Sequence, residues 1–151
     1  MLGNLTIEEI DLILAENING RIGYLDEGRV CIVPVSYAFN GEYLVMHSRE
    51  GRKIKAMRKH PEVCFEVDEV QDQGNWKSVV LWGLYEEVTD VKERYYAMKN
   101  LITRLLHVKV SETLAIHDHA LDEPQNAGAV EKRPVIYRIR IKEKSGRFEA
   151  S

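Results

Sequence analysis

The stretch NGEYLVMHSREGRKIKAMRKHPEVCFEVD, Asn40 to Asp68, constrains the fold of this chain more than any other segment. Asn40-Gly41 precedes an alternating run, Tyr43-Leu44-Val45-Met46-His47-Ser48. Asn-Gly beside alternating residues is a strong hairpin signal and predicts a strand over Glu42–Ser48. After Gly51, Ile54 and Met57 recur at helical spacing until Pro61 stops the pattern, so a short helix joins this strand to the apolar run Val63–Val67. Arg49, Arg52 and Lys53 stand at the start of that helix, with Lys55, Arg58 and Lys59 behind them and only Glu50 opposed. A helix N-terminus carries partial positive charge, so each cation there is disfavoured by roughly 0.3–1 kcal/mol. An anion bound at the same place reverses that sign. Free backbone N–H groups, a glycine and two or three cations together are the makings of a phosphate site.

At 151 residues the chain fits a single domain, 1–151, with a sizeable core. The net charge of −3 makes the basic patch local, which argues against a nucleic-acid partner. No apolar run approaches the roughly 20 residues of a membrane span, and the first residues lack a signal-peptide layout. Cys31 and Cys64 lie in apolar, strand-like runs without metal-ligand spacing. They are expected to be buried, reduced thiols, as in a cytoplasmic protein.

Along the chain, Thr6-Ile7-Glu8-Glu9 is a capping box opening a helix to Glu16, with Ile7, Ile10, Leu12 and Leu14 as its apolar face. Arg21–Asp26 and Arg29–Phe39 read as strands about a Glu27-Gly28 turn. Pro34 cannot donate to a ladder, so it marks either a plain edge strand or a bulge that frees the Val33-Pro34-Val35-Ser36 backbone. Glu69–Asn75 reads as loop. Ser78–Val88 is a strand apolar on both faces, and its Gly83 suggests close approach of another backbone or a ring. Asp90 caps a helix to Leu106 bearing Val91, Tyr95, Met98, Leu101, Ile102 and Leu105. The pattern weakens from His107 to Lys132, where Ser111–His117 suggests a short helix and Glu123–Gly128 a loop. Pro134–Lys144 is the last strand, and Gly146–Ser151 reads as a tail. Six strands joined mostly by tight turns, with helices between, describe an α+β antiparallel barrel.

Few constellations in the chain suggest chemistry built from side chains alone. His107, His117 and His119 lack a fourth ligand and read as solvated. No Ser-His-Asp or Cys-His set has usable spacing. Trp76 and Trp82 suit either a core or a stacking surface. Such a chain fits a protein whose reactive group is bound rather than built.

The ordered set R-V-C-I-V-P-V-S-Y, N-G-E-Y-L-V-M-H-S, G-R-K, P-E-V-C-F-E-V-D and W-K-S-V-V-L-W-G resembles the FMN-binding split-barrel family. Within it, the set is most similar to pyridoxamine 5′-phosphate oxidase-like proteins grouped with nitroimidazole-resistance reductases. The resemblance runs from Ile10 to Ala97 and returns at I-R-I-K-E-K-S-G-R-F-E. It implies that Gly51, Arg52 and Lys53 hold the FMN phosphate, with a hydrogen bond from Ser48. It sets the backbone of Val33, Pro34, Val35 and Ser36 at the isoalloxazine edge, places His47 near the flavin, and has Trp76 and Ser78 line the cofactor. It also implies a homodimer with the cofactor between subunits.

True pyridoxamine phosphate oxidases carry a terminal Trp- and Arg-containing segment that Gly146–Ser151 does not match. The resemblance therefore implies an FMN-dependent oxidoreductase passing electrons from a reduced nicotinamide to a small acceptor, such as a nitroaromatic or quinone. The family also has members using F420 or haem, so a non-catalytic flavin- or haem-binding protein, with His47 or a later histidine on iron, is the alternative. RNA binding through Arg49–Lys59 lacks the interleaved aromatics it needs.

Overall fold

A computed structural model describes residues 1–106 and 134–151. In chain order the elements are β1 (Leu2–Asn4), α1 (Ile7–Glu16), β2 (Asn19–Asp26), β3 (Arg29–Ser36), β4 (Ala38–Phe39) and β5 (Tyr43–Ser48). They continue with α2 (Arg52–Lys59), β6 (Glu62–Asp72), β7 (Asn75–Glu87), α3 (Val91–Leu106) and β8 (Val135–Glu149). One antiparallel sheet runs β3-β2-β6-β7-β8-β5-β4, with β1 added to the far end of β8. The α+β antiparallel split barrel expected from the sequence is therefore present, with eight strands among the described residues where six were expected.

Local chemistry explains most boundaries. Thr6 Oγ1 accepts from the Glu9 N–H (3.2 Å) while Glu9 Oε1 accepts from the Thr6 N–H (3.0 Å), closing the capping box. The β2–β3 hairpin turns on Glu27 (φ 51°) and Gly28 (φ 80°), the pair of positive φ values that a tight two-residue turn demands. Asn40 Oδ1 accepts from the Glu42 and Tyr43 N–H groups and starts β5. Asp90 Oδ2 accepts from the Glu93 N–H at the start of α3.

The main core lies inside the curl of the sheet, around Ile10, Leu14, Ile22, Tyr37, Leu44, Met46, Phe65, Leu81 and Tyr137. A second cluster packs α3 through Met98, Leu101 and Leu105 against Val45 and Ile136. Gly83 sits at a register shift between Trp82 and Gly83, where an added Cβ would lie 2.3 Å from the Arg140 carbonyl oxygen. The close backbone approach inferred from the sequence is real.

Several expectations are corrected. Ile7 and Leu12 are exposed, whereas Ile10 and Leu14 are buried as expected and Ile13 joins them, because that stripe is the one facing the barrel. Val91 and Tyr95 are likewise exposed on α3. The β2–β3 register is continuous from Asn19↔Ser36 to Asp26↔Arg29, so Pro34 marks an edge strand without a bulge. Glu69–Asn75 continues β6 into a tight turn, and Gly146–Glu149 is strand, held by β1 and β7. Cys31 and Cys64 are free but only partly buried. The segments expected at Ser111–His117 and Glu123–Gly128, and the three later histidines, lie outside the described residues.

Candidate functional site

The corner between β5 and α2 gathers His47, Ser48, Gly51, Arg52 and Lys53. Gly51 is the N-cap of α2 in extended backbone (φ −170°), and no side chain caps the helix. The first turn holds no acid, while Arg52 and Lys53 open it. A Cβ on Gly51 would meet nothing nearer than the Arg49 carbonyl oxygen at 3.8 Å. The fold alone therefore tolerates a side chain there, and the glycine keeps the helix start open to something else.

Lys53 is half-buried, has no hydrogen bond or ion pair among the described residues, and burial pulls its pKa down. His47 is also half-buried, and its pKa is lowered first by burial and then by the Lys53 charge, which places the two side chains in one electrostatic environment. Arg52 is 77% exposed, and its Nε donates to Asp26 Oδ2 on β2, whose side chain is 14% exposed. That contact first of all raises the guanidinium pKa, and the Nη groups make no hydrogen bond among the described residues. Ser48 Oγ donates to the Arg49 carbonyl (3.1 Å), so its proton is engaged while its lone pairs are open. Arg49 is exposed.

The end of β3 leads through Tyr37 into β4, whose Ala38 and Phe39 pair with Val45 and Leu44 of β5, and among the described residues the ladder extends no further towards His47 and Ser48. Ser36 Oγ donates to Asn19 Oδ1 (2.9 Å), and β3 pairs only with β2, so its other backbone edge has no strand partner among the described residues. Val33 and Val35 pack against the core and Pro34 is exposed.

Trp76 and Ser78 stand apart from this group within one chain. Ser48 pairs with Val135 at the start of β8, whereas Ser78 pairs with Arg147 near its end. At ~3.3 Å per residue that separation is about 40 Å of strand. Trp76 Nε1 donates to Glu149 Oε2 (3.0 Å), and Ser78 Oγ to Glu66 Oε2 (3.3 Å).

Sequence reasoning missed Asp26 and an ion-pair set behind the corner. Arg58, counted with the cation cluster, is bonded to Glu87 and Glu50. Asp26 with Arg52 and Glu87 with Arg58 join residues distant in sequence, which periodicity does not reveal. Among the described residues no three His, Cys, Asp or Glu side chains could hold a metal ion. No described helix is long and apolar enough to cross a membrane.

Fold and corner together define an antiparallel split barrel with an uncapped, cation-bearing helix start. The family described as pyridoxamine 5′-phosphate oxidase matches residues 6–148, and the chain belongs to it. An uncharacterized protein of Rhizobium meliloti is 35% identical over 81 residues, and the match covers 54% of this chain and 54% of that protein. The chain thus matches about half the length of this curated relative. Among solved structures, a FAD-binding protein from Mesorhizobium loti is 28% identical, covering 100% of this chain and 98% of that one at a TM-score of 0.78. A candidate 5-nitroimidazole antibiotic resistance protein from Bacteroides thetaiotaomicron is 18% identical, with coverage of 98% and 87% and a TM-score of 0.74. A FAD- and haem-binding protein from Mycobacterium smegmatis is 15% identical, with coverage of 99% and 74% and a TM-score of 0.71. At those last two identities the likeness concerns the fold alone.

Proposed function

We propose that this chain is a flavoprotein that holds FMN by its phosphate at the start of α2. The observation that carries the reading is Lys53, a half-buried ammonium with no acid partner among the described residues, beside an uncapped helix start. Partly desolvated charge without a counter-ion is unfavourable, and a phosphate supplies that counter-ion. The donor set fits the group: three backbone N–H groups of the first turn, Lys53, the free Nη edge of Arg52, and Gly51 without a side chain in the way. Ser48 can join by rotating its hydroxyl.

A bound flavin supplies two-electron and one-electron chemistry that no side-chain set here provides. The chain's part is to bind and orient it and to hold His47 neutral near its edge. Support for turnover comes from the resemblance: electrons from a reduced nicotinamide go to a small acceptor, nitroaromatic or quinone-like.

The same reading includes a homodimer. Trp76 and Ser78 pair with the opposite end of β8 from the corner, and a partner subunit can bring them to the ligand. On the outer face of the sheet, Ile32, Gly23, Cys64 and Trp82 form one cross-strand row, with Trp82 44% exposed. Leu81 and Val79 face the core, so a charge there would break the fold and test nothing about assembly. Trp82→Glu is the informative change: light scattering should report monomer, and flavin content should fall with it. A monomer retaining full flavin would show that the site is complete in one subunit.

The corner is tested by fluorescence titration of apoprotein with FMN, FAD and riboflavin. One charge-assisted contact is worth roughly 1.5–3 kcal/mol, so Lys53→Ala or Arg52→Ala should weaken FMN by about ten- to a hundredfold and leave riboflavin nearly unchanged. Equal loss of both flavins would refute the phosphate assignment. FAD is the second reading, favoured by the 28% identical FAD-binding relative. It carries a phosphate at the same ring-side position, and tighter binding of FAD than FMN would select it. A Soret band in the purified protein would select haem.

A further inference from the structure

Arg58 lies in the last turn of α2, away from Gly51, and each of its three guanidinium nitrogens donates a hydrogen bond. Nε donates to Glu87 Oε1 (2.9 Å), Nη2 to Glu87 Oε2 (3.2 Å) and Nη1 to Glu50 Oε1 (2.7 Å). Glu87 also accepts the Tyr85 hydroxyl at 2.6 Å. The Arg58 fork first, with help from that hydroxyl, holds its carboxyl below the usual carboxylate range. Tyr85 is anchored twice more: its N–H donates to the Pro61 carbonyl (2.8 Å), and its ring packs on Tyr137, 5.2 Å between centroids, inside the barrel. A continuous set of contacts therefore runs from the core through Tyr85, Glu87 and Arg58 to Glu50.

Glu50 is the residue before Gly51, in a turn with no regular structure. Among the described residues, the Ser48 hydroxyl holds the neighbouring Arg49 carbonyl, and the bond from Arg58 to Glu50 is the one side-chain hydrogen bond that ties the Arg49–Gly51 turn to the far end of α2. A carboxylate one residue from a helix start that awaits an anion is unfavourable by charge alone. Its presence makes sense if holding the turn matters more than the repulsion. Three backbone N–H groups grip a phosphate only if they converge on one point, and loosening by about 1 Å is costly.

We propose that Arg58 and Glu50 are positioning residues, which fix the Ser48–Gly51 turn so that the helix start converges on the flavin phosphate. The inference rests on the flavin reading above. Neither residue touches the ligand; they act on the backbone that does.

Two substitutions separate tether from charge. Glu50→Gln and Glu50→Ala remove the same charge, but Gln retains an oxygen that accepts from Arg58 Nη1. FMN and riboflavin affinities are measured by flavin fluorescence, with thermal midpoints for each variant. Glu50→Ala is expected to bind FMN about tenfold more weakly than Glu50→Gln, roughly the loss of one well-placed contact, with riboflavin unchanged between them. Equal FMN affinity in the two variants overturns the proposal. So does a loss shared equally by FMN and riboflavin, which marks a purely structural tether. Arg58→Lys repeats the test from the other side, since charge is kept and the fork is lost, and unchanged FMN affinity there also counts against it. Lys53→Ala in the same series isolates the underlying reading. If it weakens FMN selectively while Glu50→Ala equals Glu50→Gln, the phosphate site stands and only the positioning role fails; if it does not, the site itself is wrong.

Discussion

The starts of α1 and α2 are opposites. At α1 a hydroxyl and a carboxylate close the end reciprocally, and Glu8 and Glu9 complement the helix dipole. At α2 a glycine leaves the end open, no acid stands in the first turn, and two cations oppose the dipole. Both helices sit on the same barrel, so folding alone could have used the same solution twice. The difference teaches that the start of α1 is completed by its own side chains, whereas the start of α2 is left open, as the proposed phosphate site requires. Helix capping serves as a sign of function when it is conspicuously withheld.

The comparison breaks most sharply if α2 is given the kind of cap α1 has. Gly51→Asp fits the extended backbone and the open space around the glycine. It should stabilise the apoprotein by roughly a few tenths of a kcal/mol in urea unfolding while abolishing FMN binding, a loss above roughly a hundredfold, because the carboxylate takes the phosphate's place. Tight FMN binding in this variant would remove the helix start from the site. Asp26→Asn probes Arg52 less drastically. Losing a nearby negative charge should tighten FMN by about two- to tenfold if the Asp26 contact competes with phosphate, and a titration showing weaker binding would mean that Asp26 orients the guanidinium instead. Thr6→Ala opens α1: stability should fall by about 0.5–2 kcal/mol with FMN affinity untouched.

The smallest effect concerns pH. The folded pKa of His47 lies below its ordinary value near 6.5, so the unfolded chain takes up a proton before the folded one. The contribution is therefore fully present above about pH 6.5 and is lost as pH falls towards the folded pKa. Thermal melts of apoprotein should show a shallow decline across that window, and His47→Gln should flatten it. An unchanged slope would place the titration elsewhere.

What the sequence revealed was local. The Asn40-Gly41 turn, the Thr6 capping box, the Asp90 cap and the Gly51-Arg52-Lys53 start are each written within a few neighbouring residues, and each is found in the fold. What stayed hidden depends on partners distant in the chain. Ser145-Gly146-Arg147 carries no apolar alternation, and it is strand because Leu5 and β7 hold it in register. Asp26 meets Arg52 across 26 positions and Glu87 meets Arg58 across 29, so neither pair leaves a periodic trace. Ile7 and Leu12 look like core residues until the barrel shows which stripe of α1 it covers. The proposed two-subunit placement of Trp76 and Ser78 rests on the resemblance and on the apolar run of Ser78–Val88 on both faces, since the local pattern of one chain does not specify a neighbour.

Strand β8 pairs with β1, β5 and β7 at once, and it follows all three in the chain. During synthesis from the N-terminus, those three strands leave the ribosome with their β8-facing edges bare and must wait for residues 135–149. The barrel therefore closes in a late step built from contacts of long sequence separation, which is slow in proportion to the loops it must shut. Until then the nascent chain presents unpaired edges, the form of strand most prone to pairing with the wrong molecule. A premature stop ahead of residue 135 should yield an aggregating fragment rather than a smaller domain, and chaperone dependence during expression should be relieved when the last strand is supplied.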